Sequence, residues 1–193
     1  MQSRFPRNGL GRLPHFHGRN ARPVQRIGYR LYSEWNMKPE QKMYADIKKN
    51  GLDKIVGVRY DRVEPAFGSG IPDLTFTYNG HHGWIELKVC EHLKRKDMDS
   101  AKVQRDAPLK LDWRPNQRKW LYDRDRMGGN CWLLAQHHTG FYAIKGVYAL
   151  QMDDSLICTI SPLEARDGFH AIYSREITPK FLMRLMDDDR TKF

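Results

Sequence analysis

The sequence lacks any hydrophobic run approaching the roughly 20 residues that a helix needs to cross a lipid bilayer. Cysteine is scarce as well: Cys90, Cys131 and Cys158 are odd in number, and none has the CxxC spacing. This excludes a disulfide framework and a cysteine-based zinc site, and it is typical of proteins in a reducing compartment. The 193 residues therefore predict one soluble globular domain, with room for tails.

Acidic residues are absent from Met1 to Ser33, a segment that holds seven arginines. The chain has a formal net charge of +10 and a pI near 9.6, which favours a polyanionic partner, nucleic acid first and an anionic membrane second. Because prolines and glycines interrupt residues 1–33, we expect an extended basic arm that binds phosphates, with Arg22 and Arg26 among its contacts. An organelle transit peptide is the alternative, although the same breakers leave no continuous amphipathic helix.

Two apolar-rich runs, Leu74–Tyr78 and Trp84–Val89, flank a cluster of asparagine, glycine and histidine, which predicts a β-hairpin. Alternation in the second strand places Glu86 and Lys88 side by side on one face, where strand propensity calls for neither. Asp73 stands just before the first strand, so its carboxylate can meet that of Glu86. Two acids and a lysine on a rigid hairpin indicate a site for a hard cation.

The other patterns predict a mixed sheet with helices against it, an α/β or α+β domain. Helices are expected over Pro39–Asn50 and Pro115–Met127, each opened by proline and stopped by glycine. The charged stretch from Cys90 to Trp113 is expected to be a loop, and the two histidine pairs are expected at turn tips. The remaining predicted elements are strands over Lys54–Tyr60, Cys131–Ala135, Phe141–Ile144, Ser155–Ile160 and Phe169–Tyr173, and a short helix opened by Thr178-Pro179.

Glu40 lies on the apolar stripe of the first predicted helix, with Met43, Tyr44 and Ile47 at +3, +4 and +7. An acid there has two interpretations. It is either a first-turn glutamate that favours the helix dipole and bends out to water, or a third carboxylate for the metal site. The sequence leaves both open.

The spacing of Pro72-Asp73 and, thirteen residues after Asp73, Glu86-Leu87-Lys88 resembles the PD-(D/E)xK motif of restriction-endonuclease-like nucleases. The predicted order of elements is similar to the αβββαβ core of that superfamily, over about Pro39 to Ala135. The flanking residues and the segment from Asn116 to Gly129 look like the virus-type replication-repair (VRR-NUC) nucleases and the phage Holliday-junction resolvases. We therefore expect a basic arm over 1–33, a nuclease core over 34–145 and a C-terminal extension over 146–193.

The resemblance implies roles for these residues. Asp73, Glu86 and the backbone carbonyl of Leu87 would hold Mg²⁺ or Mn²⁺, with Glu40 completing this site or holding a second ion. Lys88 would act on the attacking water, and Gln117 would steady water or phosphate from the second helix. The alternative, structural interpretation of Glu86 and Lys88 is a salt bridge on an edge strand, which would contribute little to stability.

The resulting hypothesis is a metal-dependent DNA endonuclease that acts on branched or distorted DNA. Arg114, Arg118 and Lys119 would hold the DNA backbone beside the basic arm. The resemblance further implies a homodimer, because a junction offers two symmetric strands, and an intracellular, phage-encoded protein in a bacterial cytoplasm. The alternative function is a non-catalytic nucleic-acid-binding or assembly protein that retains the nuclease fold. A sequence-specific restriction enzyme would need a recognition insertion, for which only the residues after Tyr142 leave room.

Overall fold

The computed structural model describes residues 37–63, 70–90, 108–152 and 157–187. Two 3₁₀ helices, Leu52–Lys54 and Gly146–Gln151, accompany the regular elements. None of the described helices is long and apolar enough to span a membrane. The α-helices are α1 (Pro39–Asn50), α2 (Pro115–Arg126), α3 (Pro162–Asp167) and α4 (Pro179–Met186). The strands are β1 (Arg59–Arg62), β2 (Leu74–Tyr78), β3 (His81–Val89), β4 (Leu109–Asp112), β5 (Asn130–His137), β6 (Gly140–Lys145), β7 (Ile157–Ile160) and β8 (Ile172–Ser174).

The predicted hairpin is formed by β2 and β3, which pair antiparallel from Leu74↔Ile85 to Tyr78↔His81. Its turn has only two residues, Asn79 and Gly80, with φ angles of 48° and 80°. Positive φ at both positions matches the right-handed twist of the strands, and Asn-Gly is the pair that accepts it most easily. The turn therefore fixes the register of the strand that carries Glu86.

The main sheet has six strands in the order β1-β2-β3-β5-β6-β8, and β4 pairs with β7 in a separate two-stranded sheet. Strands β3 and β5 are parallel, and α2 lies between them in the chain as the crossover that such a pair requires. All other pairs are antiparallel. The predicted mixed α/β fold is confirmed. The strands of the main sheet and the helices α1 and α2 follow the predicted order of helix, three strands, helix and strand, while β4 of the small sheet lies between β3 and α2 in the chain.

The central strands are buried on both faces. One face packs side chains such as Leu74, Ile85 and Leu87 against α1 and α4. The other packs Leu133 and Ala135 against α2 and the small sheet. A residue in the middle of β3 is therefore shielded from water on either side, which sets the electrostatics of the candidate site.

The C-terminal segment shares these cores. Strand β8 pairs with β6, and Phe181, Leu182 and Leu185 of α4 join the core that contains the hairpin. The short strands and terminal helix predicted after residue 145 are present, and the described residues from 37 to 187 belong to one compact unit. The predicted arm, residues 1–33, lies outside the described residues.

Three expectations about the secondary structure and the turns are wrong. The predicted strand over Lys54–Tyr60 is replaced by a 3₁₀ helix and a turn at Gly57, whose φ is 84°, so that β1 starts only at Arg59. The predicted loop before Trp113 contains β4, because Leu109 and Leu111 are buried. Of the histidines predicted at turn tips, His81 and His82 lie in β3 and His137 is buried at the end of β5.

Candidate active site

The hairpin brings Asp73 and Glu86 to the same place. Continuing the register beyond Leu74↔Ile85 sets Asp73 opposite Glu86, one residue outside β2. The Asp73 side chain accepts a hydrogen bond at Oδ2 from the Leu87 backbone N–H, at 2.9 Å. Its backbone carbonyl accepts another from the N–H of Val63 next to β1, at 2.8 Å. The position of the Asp73 carboxylate is therefore set by the two strands that flank it.

Glu86 is a buried carboxylate in the middle of the sheet. Only 1% of its side chain is exposed, since β3 lies between β2 and β5. Its Oε1 atom lies 2.8 Å from Lys88 Nζ and accepts a hydrogen bond of 2.6 Å from Gln117 Nε2. Within the described part of the chain, its Oε2 atom is buried and has no hydrogen-bond partner. Such an atom normally finds a donor or a cation.

Burial raises the pKa of Glu86 to about 7, even though Lys88 opposes the shift, and the charges of Asp73 and Glu40 raise it further. Burial also raises the pKa of Asp73, against the lowering influence of the Leu87 N–H, Lys88 and Arg62. The site therefore concentrates more negative charge than its protein partners neutralise, which is the environment that a bound cation would relieve.

The edge-strand salt bridge considered for Glu86 and Lys88 does not fit this structure. β3 is an interior strand of the sheet. Both partners of a surface ion pair would be exposed to solvent, whereas the Glu86 side chain is only 1% exposed. Carboxylate oxygens are the hard donors that Mg²⁺ and Mn²⁺ prefer, and one of those at the hairpin mouth has no hydrogen-bond partner among the described residues. The donor set therefore fits the ion that the sequence implies.

Glu40 contributes to the site through its charge. It is half-buried in the first turn of α1, and it raises the pKa of both Asp73 and Glu86. Over residues 37–63, 70–90, 108–152 and 157–187, no three or more His, Cys, Asp or Glu side chains come together as a group that could hold a metal ion. The centre found here is thus a pair of carboxylates, and the role of Glu40 as a third ligand stays a prediction.

Gln117 reaches Glu86 because of how α2 begins. Pro115 occupies the first turn, and Gln117 Oε1 accepts a hydrogen bond of 3.2 Å from the Arg114 backbone N–H. This contact leaves Nε2 to donate to Glu86. Gly70 packs close to Asn116, where a Cβ would lie 3.5 Å from the Asn116 side-chain amide, so the segment before Asp73 and the start of α2 are in contact. The sequence prediction that α2 delivers Gln117 to the site agrees with this geometry.

The predicted nucleic-acid contacts divide into three groups. Arg114 is exposed, and Lys119 is exposed but bonded to Asp123 at 2.7 Å. Arg118 is 1% exposed, so its guanidinium belongs to the interior and the prediction that it contacts a DNA backbone is corrected. Arg22 and Arg26 lie outside the described residues.

Sequence reasoning did not find two features of the site. Arg62 in β1 lowers the pKa of Asp73 across the sheet, and its guanidinium lies 5.0 Å from the centre of the Tyr44 ring. No local sequence pattern predicts such a contact between strands. Trp84 and Trp120 meet beside the site. The signal for that contact was present, since Trp84 shares the strand face of Glu86 and Trp120 lies one turn after Gln117.

No protein-family model and no curated protein sequence matches the chain. Among solved structures, the chain is similar to Hjc, a Holliday junction resolvase from the archaeal hyperthermophile Archaeoglobus fulgidus. The match has 14% sequence identity, covers 64% of this chain and 85% of that one, and has a TM-score of 0.37. A likeness at this level concerns the fold alone and carries no weight for substrate or mechanism.

Proposed function

We propose that the protein is a metal-dependent endonuclease that hydrolyses phosphodiester bonds in DNA. The observation that carries this proposal is the buried Glu86 carboxylate, whose Oε2 atom has no partner in the described residues, beside Asp73 and Lys88 at one hairpin mouth. A buried charge without a partner destabilises the folded state. Such groups are common in catalytic and binding sites, so this carboxylate indicates a functional site.

Asp73, Glu86 and the backbone carbonyl of Leu87 would hold Mg²⁺ or Mn²⁺. When bound, such an ion polarises a phosphate and lowers the pKa of a water molecule. The Leu87 N–H points to Asp73, and the N–H and carbonyl of one residue in an antiparallel ladder point to the same side. The Leu87 carbonyl is thus directed to the side where β2 has already ended, which suits it as a third oxygen donor.

Lys88 would orient the attacking water and stabilise the negative charge that develops on the phosphate. Its side chain is 14% exposed and its Nζ atom lies 2.8 Å from Glu86 Oε1, so the lysine is held at the site and its side chain still has contact with solvent. A fixed positive charge there orients a water by hydrogen bonding and stabilises a more negative transition state. Gln117 holds the Glu86 carboxylate in place and, from the same atom, can bond a water or a phosphate oxygen.

A DNA substrate is favoured by the net charge of +10 and by the exposed Arg114 and Lys119 near the start of α2. Branched or distorted DNA, a homodimer that cuts two strands, and an intracellular, phage-encoded origin belong to the proposal through the PD-(D/E)xK resemblance. Such an enzyme binds mainly phosphates, so its affinity is expected to fall steeply with salt.

The test combines cleavage with metal binding. Wild-type protein is incubated with supercoiled plasmid and with a four-way junction in Mg²⁺, and nicking or junction cleavage is expected. Asp73→Ala and Lys88→Ala are expected to abolish it, whereas Asp61→Ala, which removes an exposed acid from β1, is the matched control. Activity that survives either of the first two changes would refute the assigned roles.

A non-catalytic nucleic-acid-binding or assembly protein is the second candidate. It is favoured by the absence, among the described residues, of a group of three or more acidic or metal-ligating side chains. Calorimetry with Mn²⁺ separates the two candidates. Binding by the wild type that is lost in Glu86→Ala supports the nuclease, and no binding by the folded wild type supports the second candidate.

A further inference from the structure

Two half-buried tryptophans lie immediately beside the carboxylate pair. Trp84 precedes Glu86 by one strand period, about 6.6 Å along β3 on the same face. Trp120 follows Gln117 by about one turn of α2. Their rings meet edge to face, with centroids 5.5 Å apart. The site and this ring pair therefore form one continuous surface on β3 and α2.

Two exposed side chains extend the ring pair. The Arg124 guanidinium lies 5.2 Å from the centre of the Trp120 ring and 5.8 Å from that of Trp84. The centroid of the His82 ring lies 4.4 Å from that of Trp84, in an edge-to-face arrangement. We refer to His82, Trp84, Trp120 and Arg124 as the aromatic patch.

The patch differs from the other tryptophans and cations nearby. Trp113 and Trp132 are 0% and 4% exposed, as expected of core residues. Lys119 on the same helix is bonded to a carboxylate, whereas Arg124 forms no ion pair within the described ranges. An exposed guanidinium that lies over two indole rings, and that is paired with no acid of the described residues, can bind an anionic ligand with a flat ring system.

We propose that the aromatic patch stacks an unpaired nucleobase of the nucleic-acid substrate, next to the phosphate at the Asp73–Glu86 site. This inference rests on the proposed function and adds to it a preference for DNA with unstacked bases. Aromatic rings and arginine planes both stack bases without reading their sequence, which suits a substrate defined by its distortion. One strand period separates the patch from the carboxylates, so the stacked base would belong to a nucleotide neighbouring the scissile phosphate.

The test measures binding to a splayed duplex without divalent metal, so that no strand is cut. One substrate carries ordinary single-stranded arms, and the other carries arms of abasic nucleotides, which keep the phosphates and remove the bases. The wild type is expected to bind the abasic substrate roughly 10-fold more weakly. Arg124→Gln and Trp120→Leu are expected to lose most of this difference, while Trp120→Phe restores part of it.

The matched control is Arg126→Gln, which removes the same charge from an exposed position in the same helical turn. It is expected to keep the penalty for abasic arms. Equal binding of the two substrates by the wild type, or an unchanged penalty in the patch variants, would overturn the inference. If Trp120→Leu does not fold, Arg124→Gln decides alone, because its side chain is exposed.

The failure of this inference can be told apart from the failure of the proposed function. Metal-dependent cleavage by a wild type that is indifferent to the bases refutes the patch and leaves the nuclease. A base preference without any metal-dependent cleavage supports the patch and refutes the nuclease. Asp73→Ala is expected to abolish cleavage while retaining the preference for ordinary arms.

Discussion

Among the described residues, two carboxylates are buried near opposite ends of α2: Asp125 in its last turn, and Glu86 in β3 beside its first turn. Their surroundings differ. Asp125 accepts hydrogen bonds at Oδ1 from the Cys131 N–H, at 3.2 Å, and at Oδ2 from the Val147 N–H, at 2.8 Å. Lys145 Nζ lies 3.4 Å from the same Oδ1. Both oxygens of this carboxylate are therefore satisfied.

Glu86 has a similar burial and a comparable lysine, yet only one of its oxygens is bonded within the described residues. Its donors, Lys88 and Gln117, both reach Oε1. The fold is evidently able to satisfy a buried acid completely, as it does at Asp125. The difference indicates that Asp125 joins α2 to the sheet, whereas the Oε2 atom of Glu86 is left for a ligand from outside the described residues.

The largest expected effect is on activity at Glu86. Glu86→Gln keeps the shape and the contact with Gln117 but removes the charge that would hold a metal. We expect nuclease activity to fall by roughly 10³-fold and Mn²⁺ binding to disappear. Initial cleavage rates and calorimetry measure the two effects. Glu176→Gln, at an exposed position, is the control and should behave as the wild type. A Glu86→Gln protein that still binds Mn²⁺ would contradict the assignment.

The matching change at Asp125 should act on stability. Asp125→Ala removes the carboxylate beside Lys145, whose side chain is only 17% exposed, and removes two hydrogen bonds from backbone N–H groups. The free energy of unfolding is expected to fall by about 3–5 kcal/mol in urea titrations. Asp123→Ala on the same helix, where the acid is 48% exposed, should change it by less than about 1 kcal/mol. Loss of activity in a folded Asp125→Ala protein would remove the contrast between the two carboxylates.

The part of the site that could be predicted is the part that is local in sequence. The Asn79-Gly80 turn and the two-residue alternation fix which side of β3 carries Glu86, so the meeting of Asp73, Glu86 and Lys88 follows from the sequence. Gln117 was predictable for the same reason, because Pro115 defines where α2 starts and which residue faces the sheet.

The rest depends on packing between distant segments. The sequence predicts that Arg118 contacts a DNA backbone together with Arg114 and Lys119, whereas the fold places it in the interior, where arginine is rarely found. The strand predicted over Lys54–Tyr60 was read across Gly57, whose positive φ breaks it and leaves Val56 94% exposed. The Oε2 atom of Glu86 has no hydrogen-bond partner in the described part of the chain because of how three elements meet around it, and no single segment encodes that arrangement.

The next effect concerns pH, because burial raises the pKa of Glu86 to about 7 from its ordinary value of 4.5. Below pH 4.5 the carboxyl is protonated in both folded and unfolded chains. Between pH 4.5 and about 7 the carboxyl ionises in the unfolded chain but stays protonated in the folded protein. The free energy of unfolding therefore falls as pH rises through this range, by about 3 kcal/mol in total. Urea titrations of metal-free protein should show this loss in the wild type, and Glu86→Gln should be the more stable protein at pH 8. Parallel curves for the two proteins would refute the raised pKa.

The smallest effect is expected at Gln117, which holds Glu86 without carrying charge. Gln117→Ala removes one of the two donors to Oε1, so the carboxylate becomes less well oriented and harder to ionise. We expect Mn²⁺ affinity and cleavage rate to fall by about 10- to 100-fold, with the loss in affinity greatest at low pH, where protons compete for Glu86.

Gln117→Glu is the sharper variant, because a second acid at this position leaves Oε1 without an amide donor and adds to the negative charge. It should lower cleavage at least as far while raising the pKa of Glu86 further, which shows as a shift of the pH–rate profile to higher pH. If both variants cleave as fast as the wild type, then Lys88 alone positions Glu86, and the contact from α2 serves only to pack the helix.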